Sequence, residues 1–191
     1  MVSSLSTHEQ NIGAYQTGFI RWRAAGDGFD GWTLNGVKMN PGGELEFDPA
    51  TATAGIDPYG SGTYNGGNYY NGGSFLVGDA IGPEISTAFH FTNAIASWNA
   101  STPAGSWIEV QVRVKYGERW SKWYVLGIWA AHTSTVTRHS VKEQKDADGT
   151  VADDTFVNLA EDSPTDTFQL KMRLFSTNGE ARPCVRNVSV A

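Results

Sequence analysis

The chain has 191 residues and a formal net charge of −6, and it contains 22 glycines, 7 tryptophans, 7 tyrosines and 9 phenylalanines. This length suits one sandwich or barrel domain with a full core, so residues 1–191 are predicted to form a single domain. The sequence has no basic stretch for nucleic acid, no apolar run of about 18 residues to span a membrane, and no second cysteine to pair with Cys184.

The first ten residues, MVSSLSTHEQ, lack the basic and apolar regions of a signal peptide. The protein is therefore either cytoplasmic or numbered after a removed leader. From residue 17 onward, apolar and polar residues alternate between glycine-rich turns, which is typical of short strands. In chain order, strands are predicted at 17–24, 31–38, 43–47, 73–78, 86–98, 106–116, 120–130, 134–142, 150–159, 167–175 and 184–190.

The clearest strand is SWIEVQVRVKY, at 106–116. Its even-numbered residues from Ile108 to Tyr116 are predicted to face a core, and its odd-numbered residues from Trp107 to Lys115 to face away. The segment 167–175 repeats this alternation, so both are predicted to be central strands. About ten or eleven strands at this spacing predict an all-β fold, an antiparallel two-sheet sandwich of the jelly-roll type.

One segment departs from the strand rhythm. Residues 57–73 read DPYGSGTYNGGNYYNGG, which sets four tyrosines among six glycines and three asparagines. Such a sequence is too rich in glycine for an internal strand, and a loop of this length is usually functional or disordered. It is either a platform for a ligand or a lid that packs on itself.

Aromatic faces stack on sugar rings, so the aromatic residues are the best functional lead. Trp120, Trp123, Tyr124 and Trp129 lie close together in sequence, but both faces of 120–130 are largely apolar, which favours a core role for these tryptophans. The predicted ligand-binding residues are Tyr59, Tyr64, Tyr69, Tyr70, His90, Trp120 and Tyr124.

The segment from Gln144 to Thr155 has alternating oxygen-bearing side chains and a glycine at the turn, as in a calcium loop. The first position is Gln and the twelfth is Thr155, where a bidentate Glu is needed. Calcium is thus one interpretation, with Asp146, Asp148 and Asp153 as ligands, and a solvated Asp-Gly turn is the other. No other cofactor is predicted.

No catalytic motif is legible, and the four histidines lack metal-ligand spacing. A polysaccharide lyase or hydrolase on the same scaffold remains an alternative, with His90, Tyr124, Arg113 and Glu109 as candidates because they lie on predicted sheet faces. Cys184 is interpreted as a small strand residue rather than a reactive thiol.

A family resemblance rests on the run SWNASTPAGSWIEVQVRVKYGERWSKWYVLGIWA at 97–130, then SVKEQKDADGTVADDT, FQLKMRLFS and PCVRNVSV. Together with FIRWR, GELEF and DPY, these segments resemble the amino-terminal domain of secreted bacterial proteins that carry a papain-like cysteine peptidase domain further on. The resemblance covers nearly the whole chain. The peptidase nucleophile belongs to the downstream domain, so Cys184 inherits no catalytic role.

The resemblance implies an extracellular or cell-surface location. The predicted function is a non-catalytic accessory domain that binds carbohydrate or cell-wall glycan through the tyrosine-rich segment and adjoining aromatics. A third hypothesis is a structural domain that packs against the downstream peptidase domain, which predicts an exposed apolar patch.

Overall fold

The computed structural model describes residues 10–12, 15–25, 28–160 and 162–191, and within them the chain forms seventeen β-strands. No helix in these residues is long and apolar enough to cross a membrane. The strands are β1 (Gln10–Ile12), β2 (Tyr15–Thr17), β3 (Ile20–Arg23), β4 (Thr33–Asn35), β5 (Val37–Met39), β6 (Leu45–Phe47), β7 (Thr53–Ile56), β8 (Ser74–Ile81), β9 (Ile85–Ser86), β10 (Asn93–Ser101), β11 (Ser106–Tyr116), β12 (Arg119–Trp120), β13 (Tyr124–Trp129), β14 (Gly149–Ala152), β15 (Thr155–Asn158), β16 (Thr167–Ser176) and β17 (Cys184–Val190).

Two antiparallel sheets face each other. The larger sheet has eight strands, five of them in the order β12-β11-β16-β8-β4. The other three add pairs to this order: β13 with β11, β7 with β8, and β9 with β16. The smaller, with seven strands, has the order β14-β15-β10-β17-β6-β5, and β3 pairs with β17. β1 and β2 form a separate two-stranded pair. The predicted all-β sandwich is therefore confirmed.

The strand count exceeds the predicted ten or eleven for two reasons: several predicted strands are interrupted, and β1, β7 and nearly all of β2 lie outside the predicted ranges. A break at 87–92 separates β9 from β10, a break at 121–123 separates β12 from β13, and a two-residue turn at Asp153 and Asp154 separates β14 from β15. The strand predicted at 134–142 is wrong. There, only an isolated bridge between Ile128 and His139 forms.

The main core lies between the two sheets. β11 and β16 are paired over ten residues in register, from Ser106 opposite Ser176 to Lys115 opposite Thr167, and their even-numbered residues point inward. These pack against the inner face of the smaller sheet. Fully buried members of this core include Leu45, Phe47, Ile108, Leu126, Phe156, Leu170, Met172 and Leu174.

A second apolar cluster lies on the outer face of the larger sheet, the face directed away from the smaller sheet. It joins Trp107, Phe175 and Phe75 to Tyr70 from segment 57–73 and to Val136 and neighbours from segment 130–141. The larger sheet is thus buried on both faces at this end. For that reason Trp107, Glu109 and Gln111 are buried, although their strand position correctly predicted that they face away from the main core.

A close backbone contact fixes the corner between the sheets. Gly36 has φ of 66° and links β4 of the larger sheet to β5 of the smaller, which splits the strand predicted at 31–38. A Cβ on Gly78 would lie 2.0 Å from the Gly36 carbonyl oxygen, so both positions require glycine.

Candidate functional site

Segment 57–73, here called the tyrosine segment, is folded around one carboxylate. Asp57 is buried, and its oxygens accept hydrogen bonds from the backbone N–H groups of Tyr59, Tyr70 and Gly72 at 3.1, 2.7 and 2.9 Å. The ends of the segment also meet, since the Asp57 N–H donates to the Gly73 carbonyl at 2.9 Å. The segment is therefore a compact loop held by its own backbone.

The four tyrosines pack on one another. The rings of Tyr59, Tyr64 and Tyr69 have centroids 5.0 to 5.5 Å apart, and Tyr69 lies 4.6 Å from Tyr70. His139 adds a fifth ring, 5.6 Å from Tyr64. These separations are those of rings in direct contact, so the cluster encloses no space for a ligand. Of the two interpretations of this segment, the contacts favour the self-packing lid.

Tyr70 fixes the lid to the sheet. Its ring is buried against Phe175, at a centroid distance of 4.8 Å, and its hydroxyl donates to Glu109 Oε2 at 2.6 Å. Burial raises the pKa of Tyr70, and the Glu109 charge raises it further, so the hydroxyl keeps its proton. Burial likewise raises the pKa of Tyr69.

Glu109 is the most buried carboxylate on the outer face, with 1% of its surface exposed. Besides Tyr70 it accepts from Gln111 Nε2 at 2.5 Å and lies 3.5 Å from Arg173 Nη1. Arg173 also donates to Asp79 at 2.9 Å. Every charge in this group is thus compensated by a neighbour, as a structural network requires.

Beyond Glu109, two half-buried tryptophans lie on the outer face. Trp120 stands opposite Lys115 in register, and Trp123 follows in the break before β13. The Arg113 guanidinium lies 4.4 Å from the Trp120 ring centroid and 4.6 Å from that of Trp123, and Lys171 Nζ lies 4.3 Å from Trp123. We call these four residues, Trp120, Trp123, Arg113 and Lys171, the tryptophan platform.

The platform differs from the core role that the sequence favoured for its tryptophans. Trp120 and Trp123 are half-buried and belong to neither apolar cluster. Sequence reasoning named Trp120 as a ligand-binding residue but missed Trp123 and Lys171. The alternation of 167–175 was the signal that could have found Lys171, because it places that residue beside Gln111 and Arg113 on the outer face.

Both cations of the platform are partly desolvated. Burial lowers the pKa of Lys171, and it also lowers the pKa of Arg113. The Arg113 guanidinium donates from Nε and Nη2 to the neutral Gln169 side chain at 2.9 and 2.5 Å. Among the described residues no carboxylate oxygen lies within 4.0 Å of either cation, whereas neighbouring Lys115 pairs with Glu84 at 2.7 Å.

His90 lies elsewhere. It is exposed in the break between β9 and β10, on a cleft of about 710 Å³ that is also lined by Tyr15, Phe89 and Ile95. The cleft meets β16 at Phe168, whereas the tyrosine segment covers the other end of that strand. The structure therefore separates His90 from the four tyrosines.

Tyr124 and the predicted calcium ligands form a turn. The Tyr124 ring is buried against Phe156, with centroids 5.0 Å apart, and its hydroxyl donates to Asp146 at 2.5 Å. Asp146 also accepts from the N–H groups of Asp148 and Gly149, each at 3.0 Å, and lies 3.0 Å from Lys122 Nζ. Burial opposes ionisation of Asp146, but these hydrogen bonds outweigh it and lower its pKa to about 2.

The other two predicted calcium ligands, Asp148 and Asp153, do not join Asp146 in a metal site. Asp148 forms a bidentate pair with Arg119, both bonds being 2.7 Å, and Asp153 is exposed in the turn between β14 and β15. Within the described part of the chain no three His, Cys, Asp or Glu residues gather as metal ligands. The contacts of Asp146 and Asp148 are those of a hydrogen-bonded Asp-Gly turn.

The residues considered for catalysis do not converge. Glu109 and Arg113 share the outer face, Tyr124 lies between the sheets, and His90 lines the cleft around Phe168. Cys184 is half-buried on β17, where burial and then the Glu44 charge raise the pKa of its thiol. A raised pKa keeps the thiol protonated and weakly nucleophilic.

Comparisons with known proteins complete the description. A structure comparison finds TmCBM61 in complex with beta-1,4-galactotriose, at 9% sequence identity and a TM-score of 0.40, over 86% of this chain and 90% of that one. A search of curated proteins finds no match. The family model described as "Peptidase C39 N-terminal domain" matches residues 18–191. The chain therefore belongs to the Peptidase C39 N-terminal domain family, as its sequence resemblance implied.

Proposed function

We propose that this domain is a non-catalytic accessory module that holds its protein on carbohydrate or cell-wall glycan outside the cell. The supporting observation is the tryptophan platform, where two half-buried indoles lie on the outer face of the larger sheet, beside Arg113 and Lys171. Indole rings stack on the apolar faces of sugars, and a rigid sheet holds them in place. The glycan lies on this platform, with the tyrosine segment as its neighbouring wall.

Polar groups of the right kind surround the platform. Gln169 carries a side-chain amide on the same outer face, and Arg113 contributes guanidinium N–H groups. Sugar recognition combines stacking with such hydrogen bonds to hydroxyl groups. Tyr59, at the outer edge of the tyrosine segment, has 47% of its surface exposed and supplies a further aromatic face.

The test is a titration of the purified domain against a glycan panel that includes cell-wall polysaccharide. Trp123→Ala and Trp120→Ala are each expected to weaken binding about tenfold or more, since a stacked aromatic ring contributes about 1–3 kcal/mol. Tyr15→Ala is the matched control, because Tyr15 is 79% exposed at the cleft around Phe168, whose ring points into the main core and not to the outer face. Binding of no glycan, or binding that both tryptophan variants retain, would refute the proposal.

The tyrosine segment has its own test. Tyr64→Ala and Tyr69→Ala remove rings that pack on other rings, and Tyr64 also accepts the Lys142 N–H at 3.0 Å. If the segment acts only as a wall, these variants lower the melting temperature more than the affinity. If they abolish binding while the fold is retained, the tyrosines themselves contact the glycan.

One observation favours a second candidate, a structural domain that packs against the peptidase domain. Tyr15, Phe89 and Ile95 line the cleft near Phe168, and Ile95 is 51% exposed. Exposed apolar groups grouped around a cleft are typical of a docking surface. Ile95→Asp should then lower the melting temperature of the two-domain protein but leave that of the isolated domain nearly unchanged. Equal effects in both proteins would contradict this role.

A further inference from the structure

The cations of the tryptophan platform are unusual in an acidic protein. The chain has a net charge of −6, yet β11 and β16 together direct Arg113, Lys115, Lys171 and Arg173 to the outer face of the larger sheet. Lys115 and Arg173 have carboxylate partners at 2.7 and 2.9 Å. Arg113 and Lys171, the two on the platform, have none within 4.0 Å among the described residues.

Asp79 and Glu109 act on Lys171, and Glu84 on Arg113, only from beyond 4.0 Å, and burial still lowers the pKa of both cations. A desolvated cation without a directly paired carboxylate is costly, so it favours an anion that comes into contact with it. Lys171 is half-buried and Arg113 is held between the two indoles. The electrostatic cost of holding both cations in this position would fall on binding a negatively charged ligand.

The position of the two cations beside the indoles favours an anion carried on a sugar ring. Arg113 uses Nε–H and one Nη2–H on Gln169, which leaves the N–H groups at the other end of the guanidinium for an anion. Lys171 Nζ adds a second donor beside Trp123. A carboxylate borne on a pyranose ring also stays beside the ring that stacks on an indole.

We infer that the ligand is an acidic polysaccharide with carboxylates on its sugar rings, a uronic-acid polymer, held by Trp123, Lys171 and Arg113. This inference rests on the proposed function and names the chemical class of its ligand.

The experiment titrates the domain with oligogalacturonate and with the methyl ester of the same oligomer, which keeps the chain and removes the charge. The acid form is expected to bind, with an affinity that falls as salt rises, and the ester to bind about tenfold more weakly, because charge-assisted hydrogen bonds are lost. Lys171→Met keeps the apolar stem and should weaken binding of the acid about tenfold without affecting the ester.

Lys38→Met is the matched control, since it removes the same charge from the smaller sheet and should leave binding unchanged. Melting curves establish that both variants are folded. Equal binding of acid and ester would overturn the inference while leaving glycan binding intact, and so would binding of a glycerol-phosphate polymer in place of the uronate. If no glycan binds at all, the proposed function fails as well.

Discussion

Tyr70 and Glu109 are joined by a 2.6 Å hydrogen bond in which both partners are buried, and this bond connects the tyrosine segment to the larger sheet. The donor belongs to a loop, whereas the acceptor belongs to the central strand β11. The bond therefore couples the position of the lid to the sheet face that carries the tryptophan platform.

Tyr70→Phe should lower the free energy of unfolding by about 1–3 kcal/mol, because it leaves a buried carboxylate with one fewer donor. Chemical denaturation measures this value. Tyr59→Phe is the control, since Tyr59 is exposed, and its effect should remain within about 0.5 kcal/mol. Equal effects from the two variants would show that the buried bond contributes nothing.

Gly78→Ala should destabilise the protein by about 3 kcal/mol or more, because the new Cβ would lie 2.0 Å from the Gly36 carbonyl oxygen and would force the corner apart. Gly73→Ala is the matched control, since a Cβ there meets no atom within 4 Å. Thermal and chemical unfolding compare the two. A Gly78→Ala protein as stable as the Gly73→Ala protein would contradict the close contact.

Acid stability should depend on Asp146. Its pKa in the folded protein is about 2, below the ordinary 3.8, so folding favours the ionised form. The resulting stabilisation is complete above about pH 4 and disappears as pH falls through about 2. Because the side chain is 37% exposed, solvent screening limits it to about 1 kcal/mol.

Asp146→Asn should therefore remove stability at pH 6 and flatten the decline of stability between about pH 4 and pH 2. Unfolding measured across this range checks both effects, with the exposed Asp30→Asn as control. A decline as steep as that of the parent protein would mean that other carboxylates cause it.

Asp154→Gly should stabilise the protein by about 0.5–1 kcal/mol. Asp153 and Asp154 form the turn between β14 and β15 with φ of 47° and 63°, a conformation that costs most residues energy and glycine very little. The change also removes a buried carboxylate oxygen, Oδ1, that lacks a partner among the described residues. Asp30→Gly, outside any such turn, should give no gain; denaturation curves of both variants test this.

Side-chain alternation was enough to predict the sheet faces. It placed Ile108 and Val110 inward and Trp107 and Arg113 outward, and all four lie as predicted. It could not predict burial on the outward side, because Trp107 is covered by residues more than thirty positions away in the chain, including Tyr70. Periodicity describes one strand, whereas burial depends on which distant segments of the chain pack against that strand.

The site was harder to predict for a related reason. The sequence predicts a single strand at 120–130, which includes Trp120, Trp123 and Tyr124. Because both faces of that strand are largely apolar, the prediction assigns the two tryptophans to the core. The break at 121–123 turns Trp123 onto the sheet face, where it meets Lys171 from β16. A ring and an ammonium group so far apart in sequence come together only through strand pairing, and no local pattern encodes that contact.

The closed ends of the tyrosine segment have a consequence for how the domain can vary. The Asp57 N–H is hydrogen-bonded to the Gly73 carbonyl, directly beyond the last strand pair, Ile56 with Ser74. The β7–β8 hairpin is therefore closed at the base of the tyrosine segment and does not need that segment for its own pairing. A shorter connection at this point would uncover Trp107 and Phe175 and extend the aromatic surface along β11 and β16. The length of this one hairpin tip therefore sets how much of the outer face is covered, while the paired strands of the sandwich stay the same.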